Sequence, residues 1–195
     1  MMALDQGMTI ASDDALLALY AAGDAAAARE LARRFLPRML AFARRMLHDA
    51  AEAEDVAQEA MLRLWRMAPG WRSGEAQVST WLWRVVSNLC TDRLRRRRGV
   101  GLDTVPDPED PRPTALQGLL AANRAAALEQ ALADLPVRQR QAVVLRHIEG
   151  LPNPEIAEIM GIGVEAVESL TARGKRALTA RLSGQRQALG YDHDD

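Results

Sequence analysis

The chain has 195 residues and a formal net charge of −1 at pH 7, with 48 % hydrophobic and 26 % charged residues. These proportions are ordinary for a soluble globular protein, and the length suits one domain or two small ones. No stretch approaches the roughly 18 consecutive apolar residues of a membrane span, and the N-terminus lacks the features of a signal peptide. We therefore expect a cytoplasmic protein that does not insert into a membrane.

The composition also narrows the chemistry and the fold. Cys90 is the single cysteine, which excludes an internal disulfide and a Cys-rich zinc site, and we expect it to be a small core residue. No nucleophile–base pair, P-loop or metal-ligand spacing is present, so we expect no enzyme activity, no metal and no cofactor. Aromatic residues make up only 4 % of the chain, while Ala, Leu and Arg abound, and this favours helices over sheets.

Four helices are predicted in the N-terminal half. The first three each follow a residue that can cap a helix N-terminus, namely Ser12 before 13–22, Asp24 before 25–48 and Asp49 before 50–68. Pro37 is expected to bend or break the second helix. The fourth helix opens at Ser79 or Thr80 and runs through an arginine run to Gly99.

The composition of the chain changes over residues 99–113. This segment contains four prolines and four acidic residues and shows no helical periodicity. Such a segment is typical of a linker. Helices resume near Ala115. We predict an all-α protein of two small helical domains on a flexible linker, with the boundaries 1–12 (flexible N-terminus), 13–98, 99–127 (acidic Pro-rich linker leading into helix), 128–183 and 184–195 (acidic tail).

The segment from Asn153 to Leu178 has the pattern of a helix-turn-helix. Asn153 can cap the first helix, Gly161-Ile162-Gly163 can form the turn, and Val164 can open the second helix. The alternative is an αα-hairpin with no role in DNA binding. In the second helix, positions facing away from the core would reach base edges or phosphates, and these are Glu165, Glu168, Ser169, Ala172, Arg173, Lys175 and Arg176.

The charge of this region is unusual for a DNA-binding domain. Residues 128–195 contain 8 Lys and Arg against 10 Asp and Glu, which gives −2. Because the release of counterions from phosphates supplies most non-specific DNA affinity, this module is expected to bind DNA poorly by itself.

Two further helices each carry an outward face that invites a functional reading. In the third helix, Asp55, Gln58, Glu59 and Leu62 share the face opposite the buried stripe. Two interpretations stay open: a solvated face with one exposed leucine, or a protein-docking surface with Leu62 as its apolar anchor.

The fourth helix combines tryptophans with the arginine run. Trp81, Leu82, Val85, Val86 and Leu89 are predicted to face the core, and Trp83, Arg84, Ser87, Asn88, Thr91 and Arg95 to face away. Cations beside aromatic and small polar groups suit a single nucleic-acid strand. The alternative is two core tryptophans and a solvated arginine run.

Taken together, the segments EAEDVAQEAMLRLW, STWLWRVVSNLCTDRLRRRR and LPVRQRQAVVLRHIEGLPNPEIAEIMGIGVEAVESLTARGKRAL resemble a bacterial RNA polymerase sigma factor. The two-module form is similar to the extracytoplasmic-function (ECF) group of the sigma-70 family. The resemblance covers about residues 13–182. It implies a sigma-2-like domain, a sigma-4-like domain and a linker that threads toward the RNA exit path of the polymerase.

The resemblance also implies partners and site residues. Core RNA polymerase would be bound by Asp55, Gln58, Glu59 and Leu62. The minus-ten element of promoter DNA would be melted and held by the loop from Arg72 to Gln77 and by Trp81, Arg84, Asn88, Asp92 and Arg95. The minus-thirty-five element would be read by Arg146, Glu168, Ser169, Ala172 and Arg173, with Lys175 and Arg176 near phosphates. An anti-sigma factor, often membrane-bound in this family, is a further implied partner.

Two departures from the family and two alternative functions stand beside this reading. Family members commonly carry a basic residue where Glu168 stands and a second one where Leu170 stands. A glutamate can instead accept a hydrogen bond from a cytosine amino group. The alternatives are a sigma mimic that sequesters an anti-sigma factor and a stand-alone helix-turn-helix regulator. Tethering to polymerase would let a nearly neutral module add sequence preference without general affinity for DNA.

Overall fold

The protein is described from a computed structural model, in which residues 11–72, 74, 77–100 and 116–183 are described. These residues contain α-helices and no β-strand, which confirms the predicted all-α class. The helices are α1 (Asp13–Ala21), α2 (Ala25–Leu47), α3 (Ala50–Met67), α4 (Val78–Val100), α5 (Leu116–Ala133), α6 (Val137–Val143), α7 (Asn153–Met160) and α8 (Val164–Ser183).

The chain forms two compact units, one built from α1–α4 and the other from α5, α6, α8 and most of α7. Most of the predicted linker, the predicted N-terminal segment before residue 11 and the acidic tail from residue 184 lie outside the described residues. In the described part of the chain, no helix is both long enough and apolar enough to cross a bilayer.

The three predicted N-caps of the first unit are confirmed. Ser12 Oγ accepts from the Ala15 amide at 3.2 Å, Asp24 Oδ1 from Ala26 at 2.8 Å and Asp49 Oδ1 from Glu52 at 2.9 Å. Each bond satisfies one of the amides that a helix start leaves without an intrahelical partner.

Pro37 does not break α2, which runs through it from Ala25 to Leu47. Proline removes one helical hydrogen bond and crowds the preceding turn. The helix persists because large apolar side chains on both sides of Pro37 are locked in the core, with Phe35 4 % exposed and Met39 and Phe42 fully buried. Tertiary packing of this face outweighs the local cost.

The core of the first unit forms where α1, α3 and α4 pack on the long helix α2. Leu16, Leu31, Leu64 and Trp83 are among its fully buried side chains. This packing places the outer faces of α3 and α4 side by side on the surface of the unit.

In the second unit, α6 and α5 pack against α8, and α6 approaches α8 closely. A Cβ atom added to Gly174 would lie 2.5 Å from Val143 Cγ2, so glycine is required where the two helices meet. Buried Arg140 donates to the carbonyl oxygens of Ala133 at 2.8 Å and Leu135 at 3.3 Å, and so caps the end of α5.

The helix that begins at Val137 changes its winding after its second turn. The α-helical part ends at Val143, and residues Val144–Ile148 form a π-helical turn. The Glu149 amide closes this turn by donating to the Val144 carbonyl at 3.0 Å. Isolated π-turns are frequent at functional sites because they re-aim side chains relative to the flanking helix.

The turn and the start of the second helix follow the prediction, but Asn153 does not cap the first helix: it is the first residue of α7, and its Oδ1 accepts no hydrogen bond. Helix α7 begins at Asn153, Gly161 takes a left-handed φ of +62° in the turn, and α8 begins at Val164. Ile156, Ile159 and Val167 are buried. The turn glycine is favoured because a side chain at this φ would be strained.

Candidate functional site

The four residues predicted to dock a protein lie together on a groove between α3 and α4. This groove has a volume of about 420 Å³ and is lined by Asp55, Gln58, Glu59, Leu62, Arg63, Leu89, Asp92, Arg93 and Arg96. Leu62 is 47 % exposed at its edge, whereas Val56, Ala60 and Leu64 on the other side of α3 are buried. The buried stripe fixes the rotation of α3 and turns its polar face outward.

Charge alternates along this groove. Glu59 Oε1 accepts from Arg63 Nε at 2.8 Å, and Arg93 Nη1 lies 3.7 Å from Asp55 Oδ2. The hydrogen bond from Arg63, with the nearby charges of Arg63, Arg66 and Arg93, lowers the pKa of Glu59. The Glu59 carboxylate is thus presented ionised near the exposed Leu62, which suits a partner carrying cations around an apolar pocket.

The residues predicted to hold the minus-ten element on α4 share one helical face. Trp81, Arg84, Asn88, Asp92 and Arg95 follow one another at spacings of three and four, which keeps them on one side of an α-helix. Arg84, Asn88 and Arg95 are exposed, and Trp81 and Asp92 are half-buried. Asp92 also lines the groove between α3 and α4 and accepts from Arg95 at 2.9 Å.

Trp83 and Ser87 do not face away from the core, contrary to the prediction. Both are fully buried, and the Trp83 ring meets Phe42 edge-on at 5.5 Å between centroids. The Arg38 guanidinium lies 5.2 Å from the centre of the Trp83 ring. Trp81 is the half-exposed tryptophan. The buried stripe of α4 runs through Val78, Leu82, Val86 and Cys90 and is rotated from the predicted one.

The arginine run at the end of α4 divides into structural and exposed members. Arg97 donates to the Leu47 carbonyl at 3.1 Å and to Asp49 at 3.0 Å, and pairs with Glu52 at 2.9 Å. It therefore ties α4 to the start of α3. Arg95 and Arg96 are exposed, so they are the members of the run positioned to meet a phosphate backbone.

Arg72 is exposed at the start of the loop before α4, directly after the half-buried Trp71. The Trp71 indole Nε1 donates to Asp14 Oδ1 of α1 at 2.7 Å. Residues 73, 75 and 76 of this predicted DNA-contacting loop lie outside the described residues.

The predicted minus-thirty-five residues of α8 are exposed as a group: Glu168, Ser169, Ala172, Arg173, Lys175 and Arg176. Asn153 Nδ2 donates to Glu168 Oε1 at 3.4 Å, so this carboxylate is oriented by the start of α7. Arg173 Nε donates to the Ser169 carbonyl at 3.2 Å. Arg146 is exposed in the π-turn, where it donates to the Leu151 carbonyl at 3.0 Å.

The groove includes residues that sequence reasoning did not select, namely Arg63, Leu89, Arg93 and Arg96. A helical plot of α3 could have suggested Arg63, which follows Glu59 by four residues and pairs with it. The α4 residues required knowledge of how α4 packs on α3, which spacing within one helix does not contain. In the described part of the chain, no three His, Cys, Asp or Glu residues are grouped as a metal site would require.

Comparison with known proteins agrees with this arrangement. Residues 31–100 match Sigma-70 region 2, and residues 125–178 match Sigma-70, region 4. The ECF RNA polymerase sigma factor SigM of Mycobacterium tuberculosis (strain H37Rv) is 39 % identical over 173 residues, covering 89 % of this chain and 85 % of SigM. The RNA polymerase sigma-H factor of Pseudomonas aeruginosa is 31 % identical, covering 90 % of this chain and 96 % of that relative.

Among solved structures, CnrH in complex with the cytosolic domain of CnrY is similar with a TM-score of 0.68 and 25 % identity, covering 88 % of this chain and 97 % of that chain. The two-unit, all-helical architecture with a groove on the first unit and a helix-turn-helix in the second is that of a sigma factor. The chain belongs to the ECF group of the sigma-70 family of RNA polymerase sigma factors.

Proposed function

We propose that this protein binds core RNA polymerase and directs it to promoters, where it recognises two DNA elements and opens the duplex. It is a dissociable specificity subunit rather than a catalyst, and it acts in the cytoplasm where the polymerase is found. The observation that carries the proposal is the groove between α3 and α4, which gathers all four predicted docking residues around the exposed Leu62.

The two units take different parts in this function. We assign residues 13–98 to polymerase docking and to the minus-ten element, and residues 128–183 to the minus-thirty-five element, with 99–127 as the connection between them. On α4, the exposed face adjoins the docking groove through Asp92, which lines both surfaces. This adjacency places single-strand contacts next to the polymerase, so captured bases and docked protein can be held by one rigid helix pair.

The second unit supports a different kind of recognition. Its outward cations on α8 and the π-turn are Arg146, Arg173, Lys175, Arg176 and Arg181, and Arg181 is paired with Asp134. Glu165 and Glu168 are exposed on the same helix. Few phosphate contacts mean low affinity for bulk DNA. Held near the promoter by polymerase, the same helix contributes sequence preference, because tethering converts its binding into an intramolecular event.

We further propose control by an anti-sigma factor. CnrH, which shares the fold and 25 % of its residues with this chain, was solved with the cytosolic domain of a second protein, CnrY. An inhibitor that covers the Leu62 groove would exclude polymerase directly.

The test is run-off transcription with purified core polymerase, with and without this protein, on promoters from its own genomic neighbourhood. We expect initiation from a defined start only when the protein is present. The result that would overturn the proposal is absence of initiation and of core binding, combined with tight binding to an anti-sigma factor, which defines a sigma mimic.

A further inference from the structure

Helix α1 precedes the matched region 2 segment, which starts at residue 31, yet it is attached to the stem of the loop that carries Arg72. The attachment is the hydrogen bond from Trp71 Nε1 to Asp14 Oδ1 at 2.7 Å, across 57 positions of sequence. A charged acceptor at this distance makes a strong hydrogen bond, and a fully formed bond of this kind fixes the plane of the indole ring.

Asp14 is itself held in place. Leu16 and Leu17 of α1 are fully buried. Arg34 of α2 donates to the Ala11 carbonyl and to Asp13 Oδ1, both at 2.8 Å, and Arg34 also pairs with Glu30. The start of α1 is therefore anchored to the long central helix of the unit.

Charge keeps this anchor intact over a wide pH range. Hydrogen bonds from Arg33 and then Arg34 lower the pKa of Glu30 to about 2. Glu30 stays ionised under physiological conditions and continues to orient the Arg34 guanidinium.

The other end of α1 contacts the same stem, which is the segment from the last turn of α3 to Trp71. The ring centroids of Tyr20 and Trp65 lie 4.6 Å apart, and Trp65 belongs to the last turn of α3. The chain then passes through the 3-10 turn Ala68–Gly70 to Trp71, whose amide donates to the Ala68 carbonyl at 3.2 Å. Two aromatic side chains of the stem, Trp65 and Trp71, are thus held by the short helix α1.

Trp71 determines how the chain leaves the stem. Its backbone is extended, with φ −67° and ψ 132°, and the next residue is the exposed Arg72. With the indole fixed by Asp14 and the backbone fixed by Ala68, Trp71 has little freedom to rotate. Arg72 directly follows Trp71 and is joined to it by a planar peptide, so the position of the Arg72 backbone follows from the backbone of Trp71.

We propose that Asp14 is a positioning residue for promoter opening, acting through Trp71 to set the place of Arg72 against the unstacked minus-ten strand. Asp14 itself does not touch DNA. This inference rests on the proposed function and deepens it, since it assigns a role in strand capture to a helix that precedes the region 2 match. A segment that only added stability to the unit would affect polymerase docking and strand capture alike.

The test uses holoenzyme assembled from core polymerase and the full chain at saturating concentration. Affinity is measured for a short single-stranded oligonucleotide carrying the minus-ten sequence of the promoter found by run-off transcription. Asp14→Ala removes the acceptor, and Trp71→Phe removes the donor while keeping a ring. Asp14→Asn retains an oxygen acceptor, and Glu54→Ala removes an equal charge from the exposed surface of the first unit but leaves the Trp71 bond.

We expect Asp14→Ala and Trp71→Phe each to weaken oligonucleotide binding about fivefold to tenfold, the size expected for one hydrogen bond. The double variant should be no weaker than either single variant, because both remove the same bond. Asp14→Asn should restore most of the affinity. In an Arg72→Ala background, Asp14→Ala should have no further effect, and core binding should be unchanged throughout.

Several results would overturn the inference. These are unchanged oligonucleotide binding by Asp14→Ala, an equal loss in Glu54→Ala, additive effects of Asp14→Ala with Arg72→Ala, or a loss of core binding that matches the loss of strand binding. If wild-type holoenzyme fails to bind the strand at all, the proposed function fails instead, so the two failures are distinguishable.

Discussion

Leu62 is 47 % exposed and lines the α3–α4 groove together with Asp55 and Glu59 of the same helix. A single exposed leucine has no functional meaning by itself. The groove adds that meaning, because it supplies the concave surroundings in which an apolar side chain becomes an energetic anchor at an interface.

We expect Leu62→Ala to weaken binding to core polymerase about tenfold or more, the effect of losing an interface anchor. Leu19→Ala is the matched control, because Leu19 is 41 % exposed on α1 and does not line the groove. The measurement is competition for core polymerase against a labelled sigma factor. Equal effects of the two substitutions would contradict a docking role for Leu62.

Reversal of charge tests the electrostatic part of the same surface. Asp55→Lys with Glu59→Lys should weaken core binding and leave the fold intact, whereas Glu54→Lys changes an exposed carboxylate outside the groove and should have a smaller effect.

Gly174 is the residue that permits the close approach of α6 to α8 in the second unit. Gly174→Ala would place a Cβ atom 2.5 Å from Val143 Cγ2, on a buried β-branched side chain with little freedom to move. We expect a net loss of about 1–2 kcal/mol, since overpacking outweighs the better helix propensity of alanine. Urea unfolding followed by circular dichroism measures the change.

Val143→Ala provides the control for this prediction. It removes the clashing methyl group, so the double variant should be less destabilised than the sum of the two single variants. Strict additivity would show that Gly174 is needed for another reason.

At the scale of elements, most helices could be predicted, because caps and apolar periodicity are local signals. Ser12, Asp24 and Asp49 each cap the helix that they were predicted to cap. The rotation of α4 about its axis, which decides which of its side chains are buried, was predicted less accurately. Trp81 and Trp83 are both aromatic, and which of them is buried depends on packing against another helix, where Trp83 meets Phe42 and Arg38 of α2.

In the candidate site, too, features within one helix could be predicted, whereas features that depend on packing between helices could not. The outward face of α3 was predicted from spacing within one helix, and its four residues do share the groove. Arg93 and Arg96 were missed as groove residues because they belong to another helix. The π-turn that presents Arg146 was also missed, since no local signal in the sequence distinguishes it from a continuous α-helix.

The arginine run illustrates how one element can serve two purposes. Arg97 meets the Leu47 carbonyl, Asp49 and Glu52, so we expect Arg97→Ala to destabilise the first unit by about 1–2 kcal/mol. Arg95→Ala should change stability by less than about 0.5 kcal/mol, because its side chain is 79 % exposed. Its effect should appear in DNA binding instead.

Tryptophan fluorescence during urea unfolding measures this difference specifically. All four tryptophans, at positions 65, 71, 81 and 83, belong to the first unit. Equal midpoints for Arg97→Ala and wild type would show that the ion pairs at the start of α3 contribute nothing to stability.

At the scale of the whole molecule, function depends on two units that are each incomplete. Residues 128–183 contain seven cations and seven carboxylates, so the module that carries the helix-turn-helix is neutral. A neutral module gains little from counterion release, so we expect it to depend on polymerase for its residence on DNA.

We expect Glu168→Arg to raise the affinity of the free chain for duplex DNA and to steepen the dependence of log K on log salt by about one. Glu168→Gln should produce a smaller change, because it removes a charge without adding a phosphate contact. Fluorescence anisotropy at several salt concentrations measures both. An unchanged slope in Glu168→Arg would place position 168 away from the DNA backbone.

The rate at which Cys90 is chemically modified reports how often the core of the first unit opens. It is the only cysteine in the chain, it is fully buried, and burial raises the pKa of its thiol to about 12. Alkylating reagents need an accessible thiolate, so labelling must wait for the unit to open. We expect modification by iodoacetamide, followed by mass spectrometry, to be at least about a thousandfold slower in the folded chain than in urea.

The modification rate of the Cys90 thiol would also show whether a partner occupies the α3–α4 groove, without any attached label. A bound partner stabilises the closed state by mass action and lowers the frequency of opening. Core polymerase should therefore slow the modification of Cys90 in wild type and not in the Leu62→Ala variant. Rapid modification of the folded chain would show that α4 opens far more often than its packing suggests.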